Sequence, residues 1–387
     1  MKILYISSLI FQKSSSAAIR NVGLIKGIVD LGHEIDILTI ENIEEKEDKF
    51  LRKYLGHDIK IYQSKLKIVN NYLKKEKQIQ KKNKIKEFIK NKIKDIYFFP
   101  DVHKEWIHSF KDNDIDYSLY DLIISSSDTK TSHFIAMEII KKNNIKWYQI
   151  WGDPWEDDVN LKNINRLLKW RIKKAENILI KKAEKVFYVS PITAQRMKSK
   201  IKLNKIKYLP RGYLLKTKSE KTNDYKEKYD FVYTGVLNDY RNITGLLKEI
   251  ELYNSKNYKQ IELKIYGSLS ENKIKELKNY NFVKMYGVKS FLEIVEIYKE
   301  ADVLIFLDNG KETTQIPGKI YDYLGTDRKI LALFEYENDV YNYFKTELDV
   351  KTCLVTEIDL EKILEVSDRE VDSRFSNKNI AKQLLEE

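Results

Sequence analysis

Short apolar runs of strand length alternate along this chain with segments of helical period, and that alternation constrains the fold more than any other feature. In the second half, Asp230–Thr234, Ile261–Tyr266, Val283–Tyr286, Asp302–Leu307, Lys329–Phe334 and Thr352–Val355 read as strands. Helical patterns intervene at Thr244–Leu252, Asn272–Lys278, Phe291–Glu300, Lys319–Leu324 and Val340–Lys345. The first half repeats the scheme with strands at Lys2–Ser8, Glu34–Ile40, Asp121–Ser127, Lys146–Gly152, Lys185–Ser190 and Lys207–Pro210. Between them, Ala18, Val22, Ile25 and Val29 make a helical stripe ended by Gly32, and Phe134–Lys142 and Arg166–Ala183 are also helical. Continuous apolar strands are those of buried parallel sheets, and strand–helix alternation puts helices on both faces. The 387 residues suit two such α/β domains. The expected division is residues 1–214, with a basic insert at about 41–113, then a polar linker at 215–228, a second domain at 229–370, and a C-terminal helix within 371–387 that returns toward the first domain. Two doubly wound, Rossmann-like domains predict a ligand in a central cleft, outside the carboxyl ends of the strands.

Composition excludes several alternatives. A hydrophobic content of 42% describes a folded chain, not a disordered one. The single cysteine, Cys353, sits in an apolar run and rules out an internal disulfide. The five histidines are scattered, with no pair at metal-ligand spacing, and Asp112-Asn113-Asp114 reads as a polar turn, so no bound metal or other cofactor is expected. No apolar run has the length of a membrane span, and Met1–Ile10 fits a first strand better than a signal peptide, so the expected compartment is the cytoplasm. The net charge of +12 is unevenly spread: thirteen lysines face three acids between Lys60 and Ile96. Ile85, Ile89, Ile93 and Ile96 form an apolar stripe there. Such a segment can lie on an anionic membrane surface, on the inner face of the plasma membrane, or pack its stripe on its own domain. No nucleic-acid module is recognisable, and the aromatics do not cluster with the basic run.

The chemistry concentrates in Ile316-Pro-Gly-Lys-Ile-Tyr-Asp-Tyr-Leu-Gly-Thr-Asp-Arg-Lys-Ile-Leu331, between two strands. Pro317 and Gly318 stand where a helix starts, which attracts anions. Lys319 adds a cation, and Asp322 follows one turn later on the same face. A cation for phosphate and a carboxylate for sugar hydroxyls equip a site for a nucleotide-sugar, although the two alone also fit an ordinary surface ion pair.

With its flanking strands, this string resembles the donor-binding segment of retaining, family-four-like glycosyltransferases of the GT-B fold. Their usual pattern is Pro-x-Lys-x-x-Glu-Tyr-Leu-x-x-Gly-x-Pro. Here Asp322 takes the place of the Glu that holds the ribose, and Thr314 stands where a second Glu usually lies eight residues earlier. Ser125–Phe134 with Trp147–Trp155 resembles the Ser-Ser-Pro-Pro…His…Trp…Arg-Asp-Pro-Trp arrangement of a subfamily that builds cell-surface polysaccharides, with Gly152 at the Arg position. The resemblance implies Arg241, Lys319 and Asp153 as the catalytic set. On the donor side it implies Gly235, Gly267, Val288, Lys289, Pro317, Gly318 and Asp322. On the acceptor side it implies Ser15, Ser16, Arg20, Ser127, His133 and Trp155. Each has a plain structural alternative: a helix cap for the serines, a turn for Asp153, core packing for Trp155, a helix start for His133.

The expected activity is retaining transfer of a sugar from a nucleoside-diphosphate donor to a hydroxyl of a glycan or glycolipid acceptor, in assembly of bacterial cell-surface polysaccharide. A nucleotide-sugar 2-epimerase and a non-catalytic sugar-nucleotide-binding or membrane-associated module are the alternatives, because fold does not decide function.

Overall fold

Strands buried on both faces need parallel neighbours and helical crossovers, and this chain meets both needs twice. The computed structural model describes all residues except 14, 42–46, 57, 68–96, 128, 159–160, 162–163, 220–225, 311–313 and 387. Two compact units result: unit 1 comprises Met1–Pro210 with Ile380–Glu387, and unit 2 comprises Arg211–Asn379.

In unit 1 the strands are β1 (Lys2–Ile6), β2 (Glu34–Ile40), β3 (Ile61–Ser64), β4 (Leu122–Ser126), β5 (Lys146–Trp151), β6 (Lys185–Tyr188) and β7 (Ile206–Tyr208). They form one parallel sheet in the order β3-β2-β1-β4-β5-β6-β7. Its helices are α1 (Ser16–Asp30), α2 (Lys49–Leu55), α3 (Trp106–Ser109), α4 (Thr131–Ile140), α5 (Arg166–Lys182) and α6 (Pro191–Ile201). Strand β3 and helix α2 fall inside the stretch read from sequence as a basic insert. Four residues, Ile-Tyr-Gln-Ser, are too few to show a strand period among so many lysines. The isoleucine stripe and most of the lysine-rich run lie outside the described residues.

Unit 2 contains β8 (Lys228–Thr234), α7 (Thr244–Lys256), β9 (Gln260–Tyr266), α8 (Glu271–Leu277), β10 (Val283–Tyr286), α9 (Phe291–Glu300), β11 (Val303–Leu307), α10 (Lys319–Leu324), β12 (Lys329–Phe334), α11 (Asp339–Glu347), β13 (Lys351–Leu354) and α12 (Leu360–Glu365). The final helix, α13 (Asn377–Glu386), carries the chain back to unit 1. The six strands run parallel in the order β10-β9-β8-β11-β12-β13. Phe231, Tyr233, Leu263, Ile265, Ile305, Leu307, Leu331 and Leu333 pack with α7 side chains into one core. Helices α6 and α12, which the apolar pattern did not reveal, are declared by their caps: Ser190 before Pro191, and Asp359.

Each sheet reverses its strand order once, between β1 and β4 in unit 1 and between β8 and β11 in unit 2. At such a switch point the connections diverge to opposite faces and leave a crevice at the carboxyl ends of the strands. In unit 2 the crevice walls need glycine. Gly235 has φ +111° and Gly267 has φ +142°, and a Cβ on Gly267 would stand 2.0 Å from the Gly235 carbonyl oxygen. Gly267→Ala is therefore expected to cost at least about 1–3 kcal/mol in backbone strain alone, read as a lower urea midpoint with an unchanged m-value.

Candidate functional site

The switch point of unit 2 is floored by a chain of phenols. The Thr234 hydroxyl lies 3.0 Å from both the Tyr298 and the Tyr323 hydroxyls, and Tyr323 also donates to the Ile305 carbonyl at 3.2 Å. These bonds tie α9 and α10 to the end of β8 and to the middle of β11. On that floor the Lys319 ammonium sits 3.7 Å from the centre of the Tyr233 ring and donates to the Thr234 carbonyl at 3.0 Å. Burial, reinforced by Arg241, pulls the Lys319 pKa well below its ordinary value. Arg241 straddles the same point: it donates to the Tyr233 hydroxyl at 2.6 Å, to the Val236 carbonyl, and to Asn309 Oδ1 at 2.9 Å. The two cations predicted to cooperate thus converge on one tyrosine. Among the described residues neither forms an ion pair with a carboxylate. Their partners are neutral oxygens and a π-face, so the local charge is left for a ligand.

Asp322 does not pair with Lys319. It receives a hydrogen bond from Arg211 at 2.5 Å, and that guanidinium is 4% exposed. Burial pushes the Asp322 carboxyl up, and Arg211 opposes the shift. Arg211 went unnoticed in the sequence because a Pro-Arg-Gly tripeptide 111 residues upstream carries no periodic signal. Helix α10 has only six residues, and the N–H groups of Ile320 and Tyr321 bond to the Pro317 and Gly318 carbonyls. Pro317 and Gly318 stand immediately before this helix, and a helix of six residues adds only a small macrodipole to the charge of Lys319.

Asp308 is the second residue that sequence reasoning missed; the signal was present, because it closes an apolar run at a strand's carboxyl end. It is 6% exposed, its Oδ2 has no partner among the described residues, and burial raises its pKa to about 6 with help from Glu335. The Arg241 charge pulls in the opposite direction. Gly235 and Gly267 lie at the crevice itself, where a Cβ on Gly235 would come within 3.7 Å of the Lys319 ammonium. Val288 and Lys289 are exposed on the loop after β10, where Lys289 pairs with Glu293 of the α9 capping box. No described contact joins those two to Arg241 or Lys319.

The switch point of unit 1 carries a separate polar network. Asn21, fully buried, accepts from the Tyr5 and Ser126 hydroxyls at 2.9 and 2.7 Å, and donates to Ser7 and to the Leu9 carbonyl. Arg20 donates to the Ser127 carbonyl at 2.7 Å and to the Ser126 hydroxyl at 3.2 Å. Ser15 caps α1 by accepting from the Ala18 N–H, its plain structural alternative, whereas Ser16 is exposed. Ser127 is fully buried and receives bonds from Lys130 and the Gly152 N–H.

Two acceptor-side expectations need correction. His133 is fully buried, 2.7 Å from the Ser125 hydroxyl and 4.3 Å ring to ring from Trp151; burial depresses its pKa well below normal, so it is a neutral core residue. Trp155 is 5% exposed and stacks on Phe99 at 5.4 Å, which leaves no face for a sugar. Asp153 is half-buried just past β5, and its carbonyl accepts from Lys130 at 3.3 Å. Its loop is pinned from inside by Glu176, a buried carboxylate of α5 that accepts from the Trp155 and Glu156 N–H groups at 2.7 and 3.0 Å. Among the described residues no group of three His, Cys, Asp or Glu side chains is placed to hold a metal ion. Nor is any helix long and apolar enough to cross a membrane. Asn113 of the Asp-Asn-Asp turn is tied to Ser64 at 2.9 Å.

No family model and no curated protein sequence matches this chain. Solved structures do. Sucrose-phosphate synthase from Thermosynechococcus elongatus superimposes with a TM-score of 0.60 at 13% identity, over all of this chain and 94% of that one. Anabaena HepE, solved with UDP and glucose, gives 0.56 at 11% over 100% and 95%. UDP-GlcNAc 2-epimerase from Methanocaldococcus jannaschii gives 0.55 at 12% over 100% and 99%. Together with the two doubly wound parallel sheets, these likenesses define the fold as GT-B, the fold of nucleotide-sugar glycosyltransferases.

Two outcomes follow from these side chains. Arg211→Ala strands the Asp322 carboxylate and is expected to destabilise the protein by about 3–5 kcal/mol; adding Asp322→Asn should restore part of that loss in chemical denaturation. For Asp308, a folded-state pKa of about 6 lies above the unfolded carboxyl value. The native state then binds the extra proton, so stability falls as pH rises from about 4 to about 6. Asp308→Asn should flatten that segment of the stability–pH curve.

Proposed function

We propose that this protein is a glycosyltransferase that moves a sugar from a nucleoside-diphosphate sugar to a glycan or glycolipid acceptor. The observation that carries the reading is the convergence of Lys319 and Arg241 on Tyr233 at the unit 2 switch point, with neutral partners only. Departure of a nucleoside diphosphate places new negative charge on its β-phosphate. Cations already fixed in a partly dry crevice stabilise that charge without reorganising. The Tyr233 ring and the Thr234 carbonyl hold the ammonium in place with two of its N–H bonds uncommitted to described residues. The guanidinium adds a planar, permanently charged partner suited to phosphate oxygens. Asp322, oriented by Arg211, is the candidate for the ribose hydroxyls, and Asp153 for the acceptor side. Retention through front-face attack, a role in bacterial cell-surface polysaccharide assembly, and a cytoplasmic location at the inner face of the plasma membrane extend the reading. Their support is the sequence resemblance around Lys319 and Asp153.

The epimerase likeness in fold keeps one other enzyme reading in view. Epimerisation needs an acid–base pair at the sugar, and His133 is buried, with its pKa held well below the ordinary value. Incubation with UDP-sugars separates the readings: a transferase releases free sugar slowly without acceptor, an epimerase yields an isomeric UDP-sugar, and a binding module does neither.

Thermal denaturation with UDP, GDP, ADP and CMP tests the site directly. One nucleoside diphosphate should raise the melting temperature, and Lys319→Ala should abolish the rise while lowering kcat about 100-fold or more. Stabilisation by none of the four would overturn the assignment. A bound anion favours the charged form of Lys319, so its depressed pKa must rise on binding. Affinity should therefore fall as pH rises through the free-state Lys319 pKa, which lies below the ordinary lysine range, and calorimetry in buffers of different ionisation enthalpy should show proton uptake on binding there and none well below it.

A further inference from the structure

Helix α5 of unit 1 presents a face that the transferase chemistry leaves unused. Leu168, Ile172, Glu176, Leu179 and Ile180 are buried. On the opposite side, Leu167, Trp170 and Ile178 are 67%, 58% and 43% exposed. At 3.6 residues per turn, Leu167, Trp170, Lys174, Ile178 and Lys181 project within a sector of about 80°. Single exposed apolar side chains are ordinary; three large ones aligned with lysines on one helix are not. The helix carries Arg166, Lys169, Arg171, Lys173, Lys174, Lys181 and Lys182. Its one acid, Glu176, is turned inward onto the Trp155 loop. Lys173 pairs with Glu156 at 3.3 Å and Arg171 lies over Phe99. Lys174 rests 5.1 Å from the Trp170 ring, with its charge still at the surface.

We propose that this face of α5 docks on an anionic lipid bilayer. The charge selects the occupant. Every ionised group exposed on the helix is positive, so the complementary surface is a continuous negative one. Leucine, isoleucine and tryptophan then enter the boundary between headgroups and acyl chains, while the lysines reach back to the phosphates. The face supplies a physical route to the membrane-side location proposed above. It belongs to unit 1 and needs no nucleotide, so its test succeeds or fails independently of the donor site.

The chain offers its own probe. Of five tryptophans, Trp106, Trp147, Trp151 and Trp155 are 0–5% exposed, and Trp170 alone is at the surface. Full-length protein should show blue-shifted tryptophan emission, and should co-sediment, with vesicles of phosphatidylglycerol and phosphatidylcholine in equal parts. It should do neither with phosphatidylcholine alone, and high salt should weaken the effect. Lys174→Glu with Lys181→Glu should lower partitioning about tenfold or more. Leu167→Ser with Ile178→Ser should do the same while leaving Trp170 as reporter. All four positions are exposed, so unchanged circular dichroism and melting temperature will verify folding. The proposal is overturned by absence of binding to the acidic vesicles, by binding that these variants do not weaken, or by a blue shift that depends on protein concentration without lipid, which would mark self-association.

Discussion

The structure of unit 2 depends on keeping one lysine ammonium at the end of a parallel sheet with very little water. Lys319 does this by resting on the Tyr233 ring and donating to the Thr234 carbonyl. Neither partner cancels its charge. A carboxylate there would have lowered the cost of burial but would also have closed the site to anions. The phenols of Tyr298 and Tyr323 hold Thr234 in place, and Arg241 holds the far side of Tyr233. The strained φ angles of Gly235 and Gly267 let the backbone pass close enough for these contacts. Removing any one element changes the environment of the ammonium, which makes the crevice a single electrostatic unit.

The two switch points use opposite strategies. In unit 2 the cations meet neutral oxygens and keep their field. In unit 1 the polar groups bond to one another and to backbone: Asn21 with Ser126 and Ser7, and Arg20 with Ser126 and the Ser127 carbonyl. Such a network fixes the geometry of the loops that follow β1 and β4, at the cost of few free donors. Glu176 performs a related task from beneath the Asp153 loop, where its carboxylate replaces water for two backbone N–H groups. One helix, α5, therefore braces a candidate acceptor loop with its inner face and offers a cationic, apolar face outward.

Much of this was legible beforehand. The bounds of helices Phe291–Glu300 and Lys319–Leu324 match those read from the sequence residue for residue. The strands around them are apolar runs long enough to declare themselves. Strand β3 was hidden because four residues in a lysine-rich context have no detectable period. The resemblance assigned Trp155 and His133 to the acceptor side, whereas the aromatic after β5 and the imidazole in α4 both join the core. Asp308 was in view as the end of a strand, but only the packing shows that its Oδ2 lacks a partner among the described residues.

By itself the sequence determined the alternation of strand and helix, hence parallel sheets, and the presence of Lys319 and Arg241 in segments that follow strands. These are local properties, set by apolar period and by turn and cap chemistry within a dozen residues. Tertiary structure alone decided that Asp322 answers to Arg211 and not to Lys319, that Arg241 and Lys319 share Tyr233, and that Glu176 faces inward while Trp170 faces out. Those outcomes depend on contacts between residues far apart in the chain, where charge, burial and hydrogen-bond satisfaction are settled only once the sheets have formed.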